Sequence, residues 1–294
     1  MDFDPLYFFE VTLAGLGSGA LLALTSLAFV LIYKATKVVN LAIGEMLMIG
    51  AYVFFSFTSS MAMPVWAAIP LTLLAGGVLG GVLERAIIRP MLGENAISVF
   101  MVTIGLGSVL VGTAELIWGA APTQMADFMG TAPVFIGEAY ISRKIAISFA
   151  VATTLIILVV LAFRFWRGGV ALRATATDQA AAYSCGINVP GVFSASWILA
   201  GIVAAGAGIL VGAIGGISPN MGVFGLSALV VVIVGGLDSV AGALIGGIIV
   251  GLIEAWSGTF IGGEFKLLAT FSLLIFILMI RPYGLFGTAE IERL

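Results

Sequence analysis

Long apolar segments, separated by short polar ones, decide which class of fold is open to this chain. Several approach or exceed the about 20 apolar residues with which an α-helix crosses a bilayer. With glycine, proline and charge as boundaries, hydropathy predicts spans at 11–33, 41–58, 65–84, 97–118, 145–163, 192–213, 222–257 (divided in two at "GGLDS") and 266–280. Only 9% of the 294 residues are charged, against about 25% in soluble domains. We therefore predict an all-α, polytopic transmembrane bundle of about eight or nine spans, with 1–294 as a single domain.

Charge and residue usage exclude several kinds of function. The net charge of −3 and the absence of a basic patch argue against a nucleic-acid partner. Cys185 is the only cysteine and there is no histidine, so an intrachain disulfide is impossible and the commonest metal ligand is missing. No G-x4-G-K-[ST] phosphate loop occurs. The acidic start "MDFDPLYFFE" is unlike a signal peptide, so it is expected to remain in the mature protein. We predict no enzymatic site, cofactor or metal in this chain.

The distribution of basic residues predicts the orientation in the membrane. With the N-terminus outside and nine spans, nine basic residues lie in the cytoplasm: Lys34, Lys37, Arg85, Arg89, Arg164, Arg167, Arg173, Arg281 and Arg293. Arg143, Lys144 and Lys266 lie outside, which gives a positive-inside bias. If 225–236 is re-entrant instead, the last two spans invert and the bias weakens. The preferred topology makes 119–142 a periplasmic loop, makes 164–190 a cytoplasmic loop, and leaves the C-terminus in the cytoplasm.

Glycine is abundant and follows two patterns. "GGVLGGVLE" (Gly76–Glu84) and "GGIIVGLIE" (Gly246–Glu254) share the spacing G-G-x3-G-x2-E. They are either copies in an inverted repeat, as many transporters have, or a chance match between Gly-rich helices.

Most glycines are expected to allow close helix packing. A minority are expected at helix breaks that line a path, for which 214–225 and 103–107 are the candidates.

Acidic residues within or beside the predicted spans include Glu45, Glu115, Asp238 and Glu254. Asn40 is expected to cap a helix that begins at Leu41, with Glu45 in its first turn and near enough to Lys34 and Lys37 to pair. The alternative is that Asn40 and Glu45 line a gate or path. Asp238 is expected to cap the helix that starts near Ser239. Glu115 and Glu254 are expected close to the outer interface.

The polar segment "RATATDQAAAYSCGIN" (Arg173–Asn188) predicts a short helix that does not cross the membrane. Thr177 or Asp178 would be its N-cap, and Gly186 would follow its last turn. Its small side chains favour docking against another protein. The alternative, a helix lying on the lipid surface, is less favoured because the segment has no basic face.

Three separated motifs resemble the branched-chain amino-acid permease family of bacterial ATP-binding-cassette (ABC) importers. "VNLAIGEMLMIGAY" resembles the family's N-terminal signature at Asn40, Ala42, Gly44, Glu45, Gly50, Ala51 and Tyr52. The cytoplasmic segment resembles its ATPase-coupling segment at Arg173, Ala174, Ala181, Ala182, Gly186 and Ile187. "GGLDSVAGALIGGIIVGLIE" and "RPYGLFG" resemble its final third. The resemblance runs from about residue 11 to Gly287.

This resemblance implies an inner-membrane permease subunit that works with a second, related permease chain, two ATPase subunits that bind ATP, and a periplasmic binding protein. The cargo would be branched-chain or related amino acids, small amides or organic acids. ATPase coupling is assigned to Arg173, Asp178, Ala181, Ala182 and Gly186. The path or gate is assigned to Asn40, Gly44, Glu45, Thr103, Ser218 and Asn220. A self-contained, ion-coupled secondary transporter is the alternative, ahead of a passive channel or a membrane-embedded enzyme.

Overall fold

The computed structural model describes residues 4–288, so Arg293, which the predicted topology places in the cytoplasm, lies outside the described residues. The α-helices in this range are α1 Pro5–Thr36, α2 Ile43–Phe55, α3 Val65–Leu83, α4 Ala96–Trp118, α5 Arg143–Phe165, α6 Arg167–Thr177, α7 Gln179–Ser184, α8 Val189–Gly215, α9 Gly222–Gly235, α10 Val240–Trp256 and α11 Phe265–Ile280. Short π-helical segments extend α2, α3 and α10 at Ser56–Ser60, Glu84–Ile88 and Ser257–Ile261. Single 3-10 turns lie at Arg89–Met91 and Pro219–Met221.

The prediction of a polytopic helical bundle is confirmed. Seven helical segments within 4–288 are long and apolar enough to cross a membrane, and Pro219–Gly235 and Phe265–Ile280 are shorter apolar helices. Within residues 4–288, the strands form a single two-stranded antiparallel hairpin, β1 Pro133–Ile136 and β2 Ala139–Ser142, in the 119–142 segment. The predicted spans agree with the helices because boundary residues act locally.

Short polar side chains begin several helices. Asp4, Asn95, Asn188 and Ser239 each accept a hydrogen bond from a first-turn amide of α1, α4, α8 and α10. The expectation that Asp238 caps α10 is therefore wrong by one residue. Asp238 instead accepts hydrogen bonds from the amide and hydroxyl of Thr288, which ties the start of α10 to the segment after α11.

The two ends of the bundle differ in charge. At one end Arg89 reaches Ser194 (Nη2–Oγ 2.5 Å), and Lys34 and Arg173 line one crevice with Val240. We call this end, which carries 84–95, 164–190, 236–239 and 281–288, the basic face. Its described basic residues are Lys34, Lys37, Arg85, Arg89, Arg164, Arg167, Arg173 and Arg281.

The other end, called the opposite face, gathers the N-terminus of α1, the 119–142 segment and the 216–221 connection. Glu10 accepts a hydrogen bond from the amide of Tyr140 at 3.0 Å, and Thr123 pairs with Ile217 through two backbone bonds of 2.8 Å. From this connection α9 runs to the basic face, where Leu285 N bonds Val234 O at 2.8 Å. Together, the 216–221 connection and α9 therefore join the opposite face to the basic face.

The core is built around α1, which packs against α5, α8, α9 and α10. Glycine lets the helices approach until backbones touch. A β-carbon at Gly76 of α3 would lie 2.5 Å from the carbonyl oxygen of Gly201 in α8, and one at Gly247 of α10 would lie 2.8 Å from that of Gly19 in α1. We call these contacts the α3–α8 and α1–α10 seams. Both copies of the G-G-x3-G-x2-E motif lie in them and run in opposite directions, as an inverted repeat requires.

Candidate functional site

The chain does not pass directly from α1 into α2. Lys37 ends α1 with φ 58°, and residues 38–42 are not α-helical. Asn40, which is buried, accepts a hydrogen bond from the amide of Ala42 at 3.0 Å, while its Nδ2 lies 3.5 Å from the sulfur of Met46. Because α2 begins at Ile43, the expectation that Asn40 caps a helix starting at Leu41 is wrong. Asn40 stabilises the turn before the helix.

This turn lies within the bundle. The amide of Leu41 donates to Thr103 Oγ1 at 3.2 Å. Thr103 is seven residues from the first residue of α4, about 10 Å along a helix that rises ~1.5 Å per residue. The 103–107 segment, predicted as a helix break, is continuous within α4, and the break lies beside it at 38–42. Interrupted helices at membrane depth are tolerated where their polar groups are buried in protein or line a cavity.

A second interrupted helix meets α2 at this level. The 214–225 segment, also predicted as a break, does contain one: α8 ends at Gly215, Gly216 has φ 80°, and α9 begins at Gly222. A β-carbon at Gly44 would lie 2.5 Å from the carbonyl oxygen of Gly222 and 3.0 Å from the Cα of Gly225. Gly44 is therefore required for the starts of α2 and α9 to touch.

Glu45 lies between α4 and α9 in the first turn of α2, as predicted, where the helix dipole favours a carboxylate. Its carboxylate oxygens lie 3.3 and 3.5 Å from the place where a β-carbon of Gly107 would be, and Oε1 lies 2.7 Å from that of Gly222. Oε2 is buried and has no hydrogen-bond partner within the described chain. The predicted pairing of Glu45 with Lys34 or Lys37 is not found among the described residues.

Glu45 lines a cavity of about 600 Å³ between α2, α4 and the start of α9, which we call the Glu45 cavity. It is open on the side where α4 exposes Ile104 and Ser108. Its lining comprises Leu41, Glu45, Thr103, Ile104, Gly107, Ser108, Val111, Gly112, Glu115 and Leu226. No lysine or arginine is among these residues. The arrangement can receive a polar ligand at membrane depth.

The structure brings together some of the predicted path residues and separates others. Asn40, Gly44, Glu45 and Thr103 lie at one junction, although only Glu45 and Thr103 line the cavity. Ser218 and Asn220 lie in the connection before α9, outside the cavity lining, and Asn220 is exposed.

Sequence reasoning missed most of the cavity wall that α4 contributes. Gly107 lies in the predicted 103–107 segment, whereas Ser108, Gly112 and Glu115 were not assigned to the path, and all four lie on this wall. Their spacing of one, four and three residues keeps small and polar side chains on one side of a helix. That recurrence is the signal that could have identified them.

Two other glutamates at the spans, Glu84 and Glu254, are hydrogen-bonded by other side chains, unlike Oε2 of Glu45. Glu84 is buried, accepts from Arg89 Nε at 3.0 Å, and accepts from Ser194 Oγ at 2.9 Å. Glu254 accepts from Thr270 Oγ1 at 3.0 Å. Across residues 4–288 no group of three His, Cys, Asp or Glu side chains is placed to hold a metal ion.

The predicted coupling segment forms two helices on the basic face. Asp178 is the N-cap of α7 and accepts from the amide of Ala181 at 3.0 Å, and Gly186 follows α7 with φ 82°. Arg173 lies within α6, and its side chain donates a hydrogen bond to the carbonyl of Phe163. The predicted short helix, with Asp178 as its N-cap and Gly186 after its last turn, corresponds to α7, whereas the preceding helix α6 was not predicted.

The two adjacent alanines of α7 face opposite ways. Ala182 is buried in a cluster with Ala35, Leu172 and Phe193, which fixes α7 to α1, α6 and α8. Ala181 is exposed, as is Tyr183 with 72% of its surface accessible. Only the exposed side of α7 can contact another protein.

Comparison with known proteins gives one family over most of the chain. The family model described as "Branched-chain amino acid transport system / permease component" matches residues 11–281. The high-affinity branched-chain amino acid transport system permease protein LivH of Escherichia coli strain K12 is 30% identical, with 98% of each chain covered. BraD of Pseudomonas aeruginosa, with the same description, is 28% identical over 98% of each chain. The solved structure of PsaBC from Streptococcus pneumoniae in complex with Fab has a TM-score of 0.50 at 12% identity and covers 95% of this chain and 94% of that one, a likeness of fold alone.

Proposed function

Because the chain belongs to the branched-chain amino acid permease family of ABC transporters, we propose that it carries branched-chain or related amino acids through a path that includes the Glu45 cavity. The observation that carries this proposal is the family match over residues 11–281, in a chain whose interrupted helices border an open cavity lined by Glu45 and Thr103. ATP would be bound by separate ATPase subunits, so this chain would itself catalyse no reaction. A periplasmic binding protein would deliver the cargo.

The orientation we propose puts the basic face in the cytoplasm. The eight basic residues there, against Arg143, Lys144 and Lys266 at the opposite face, follow the positive-inside rule. The N-terminus and the 119–142 segment would then lie in the periplasm of a bacterial inner membrane, and 164–190 and the C-terminus in the cytoplasm. The binding protein would meet the hairpin and the 216–221 connection, where Ser218 and Asn220 lie.

Coupling to the ATPases is proposed for the exposed side of α7. Asp178, Ala181 and Gly186 are available for contact, whereas Arg173 and Ala182 hold the segment to the bundle. Since α6 and α7 pack on α1 and α8 through that cluster, a movement of α7 would reach α1 and α8, which contact α9 and α2 beside the cavity. The family resemblance and this packing support the assignment together.

A second permease chain, related but not identical, is proposed to complete the path. The side chains that α4 exposes beside the cavity include Ser108 and Glu115. Contact of such groups with lipid is costly, so polar residues in membrane segments usually face a protein partner or a water-filled path. The open side of the Glu45 cavity is therefore the side on which the partner chain would lie.

Reconstitution tests the transport proposal. The tagged chain would be purified from its source membranes with the subunits that it retains, and placed in liposomes with the cognate binding protein. We expect radiolabelled L-leucine uptake that requires ATP and persists when ionophores collapse the proton and sodium gradients. Uptake without ATP that the ionophores abolish would instead support the ion-coupled secondary transporter.

A pair of alanine variants tests the coupling surface. Ala181→Glu places a charge on the exposed side of α7. We expect this variant to abolish L-leucine uptake and to leave ATP hydrolysis no longer controlled by the permease, while the chain is produced in normal yield. Ala120→Glu adds the same charge to the exposed opposite face and serves as the matched control. Normal coupled uptake by Ala181→Glu would contradict the assignment.

A further inference from the structure

We propose that Glu45 is a specificity-determining residue, and that the Glu45 cavity favours cargo bearing an ammonium group over anionic organic acids and neutral amides. This inference rests on the proposed transport function, because it concerns which of the candidate cargoes the path accepts. It assigns part of the selection to the permease itself.

The first ground is an acceptor without a donor. Oε2 of Glu45 is buried and lacks a hydrogen-bond partner within the described chain, beside an open cavity. A buried carboxylate oxygen left in this state is costly, since charged groups at membrane depth otherwise pair or hydrogen-bond. An ammonium group offers three N–H donors and a positive charge, and the Glu45 carboxylate, whose side chain lines the cavity, can pair with it.

The second ground is the charge of the whole lining. Glu115 lines the same cavity, eight positions beyond Gly107 on α4, which is about 12 Å along the helix. No basic residue lines the cavity, and the basic residues of the described chain lie at the two faces. A cation is attracted to both carboxylates, whereas an organic anion is repelled by both. The zwitterion's own carboxylate can remain at the open side of the cavity, away from Glu45.

The third ground is shape. Gly107 and Gly222 flank the carboxylate of Glu45 and leave no side chain between it and the cavity. Leu41, Val111 and Leu226 supply apolar wall nearby. An amino acid with an aliphatic side chain could place its ammonium at Glu45 and its alkyl group on this wall. The volume of about 600 Å³ lies within the ~300–1,000 Å³ typical of small-molecule sites.

Comparison with Glu84 and Glu254 shows why the inference concerns Glu45. Glu84 already has Arg89 and Ser194 as partners, and Glu254 has Thr270. Neither lines the Glu45 cavity. Of these three membrane-level glutamates in the described chain, Glu45 alone combines an unsatisfied oxygen with space for a ligand.

The test measures the electrostatic selectivity of the cavity directly, in the whole transporter in liposomes. Ser108 lines the cavity and is exposed, so a Ser108→Cys variant in a Cys185→Ser background reports on it. Two thiol reagents of similar size are compared, a trimethylammonium and a sulfonate methanethiosulfonate, each normalised to its rate with a free thiol. We expect the cationic reagent to be favoured about tenfold or more, because it approaches two carboxylates.

Additional variants separate the role of Glu45 from other charges. Glu45→Gln should lower the cation preference several-fold, Glu45→Asp should largely retain it, and Glu254→Gln should leave it unchanged as the matched membrane-level control. Millimolar L-leucine should slow the cationic modification, and 4-methylpentanoate, which lacks the ammonium, should not. If Ser108→Cys fails to assemble, Val111→Cys is the second reporter.

The outcomes distinguish this inference from the proposed function. Equal normalised rates for the two reagents, or a preference that Glu45→Gln leaves intact, would overturn the role of Glu45 even if L-leucine uptake is ATP-dependent. Conversely, absence of ATP-driven L-leucine uptake by the unmodified transporter would contradict the proposed function whatever the reagent ratio.

Discussion

Glycine has opposite effects in two regions of this molecule. In the α3–α8 and α1–α10 seams it removes space: Gly76 meets the backbone of Gly201, and Gly19 meets that of Gly247. At the Glu45 cavity it creates space, since Gly107 faces a carboxylate and Gly112 has no atom within 4 Å of where a β-carbon would be. The comparison teaches that glycines in membrane helices can either allow close helix packing or leave a cavity open. Only the atoms around each glycine distinguish the two cases.

The carboxylates of the two regions also differ, in whether they have partners. Around the seams they are paired, as Glu84 is with Arg89, while Glu45 keeps an unpaired buried oxygen. Unpaired polar groups in a folded chain lower stability. The proposed role of Glu45 in transport gives a reason for retaining one next to an open cavity. The predictions below test whether different residues are needed for stability and for transport.

The largest expected effect is on the α3–α8 seam. Gly201→Val places a side chain against the Gly76 carbonyl, where a single β-carbon would already overlap the oxygen. We expect the free energy of unfolding to fall by about 3 kcal/mol or more, at the upper end of overpacking costs. Yield and melting temperature in detergent measure it. Gly206→Ala on the same helix is the control, because its β-carbon would make an ordinary contact at 3.4 Å. Equal yields of the two variants would contradict the seam.

The next effect should be on transport without loss of stability. Gly105 and Gly112 both lie on α4 with nothing within 4 Å of a β-carbon, but only Gly112 lines the Glu45 cavity. Gly112→Leu should fill the cavity and reduce L-leucine uptake at least tenfold, which is ~1.4 kcal/mol or more on the transport barrier. Gly105→Leu should leave uptake near normal. Similar uptake by the two variants at matched yield would remove the cavity from the path.

A third comparison concerns the sign of a stability change. Glu84→Gln removes the charge that Arg89 pairs with and should lower stability by about 1–3 kcal/mol. Glu45→Gln removes an unsatisfied charge, so the melting temperature should stay the same or rise. Differential scanning fluorimetry in one detergent compares them. A clear destabilisation by Glu45→Gln would mean that Glu45 is a structural residue.

The smallest effect should come from the turn before α2. Asn40→Ala removes one buried hydrogen bond to the amide of Ala42, worth about 1 kcal/mol. Asn40→Asp keeps the acceptor and tests whether the bond itself matters. Melting temperatures of the pair give the answer, and no difference between Asn40→Ala and the unmodified chain would show that the turn is held by its other contacts.

Much of the fold could be predicted because the responsible signals are local. Apolar runs, and caps such as Asn95 and Asn188, determine where helices begin, so the spans agree with the structure. The short helix α7 could be predicted for the same reason: Asp178 and Gly186 act on their own neighbours.

The cavity depends on contacts between distant parts of the chain, which periodicity does not report. Glu45 was singled out as a charge at membrane depth, but its position between Gly107 and Gly222 requires three helices to be placed. Likewise, the sequence treats Ala181 and Ala182 as equivalent, and only the packing of α7 on Ala35 and Leu172 buries one of them. Thr103 was chosen for a helix break that lies instead at 38–42.

The central claim is that the α6–α7 segment lies in the cytoplasm and couples an ATP-driven permease to its ATPase subunits. Cys185, the only cysteine, is exposed at the end of α7 and is a native reporter. A membrane-impermeant maleimide should label it in inside-out vesicles but not in intact spheroplasts, and bound ATPase should protect it. Labelling of Cys185 in intact spheroplasts would place the segment outside and contradict the account.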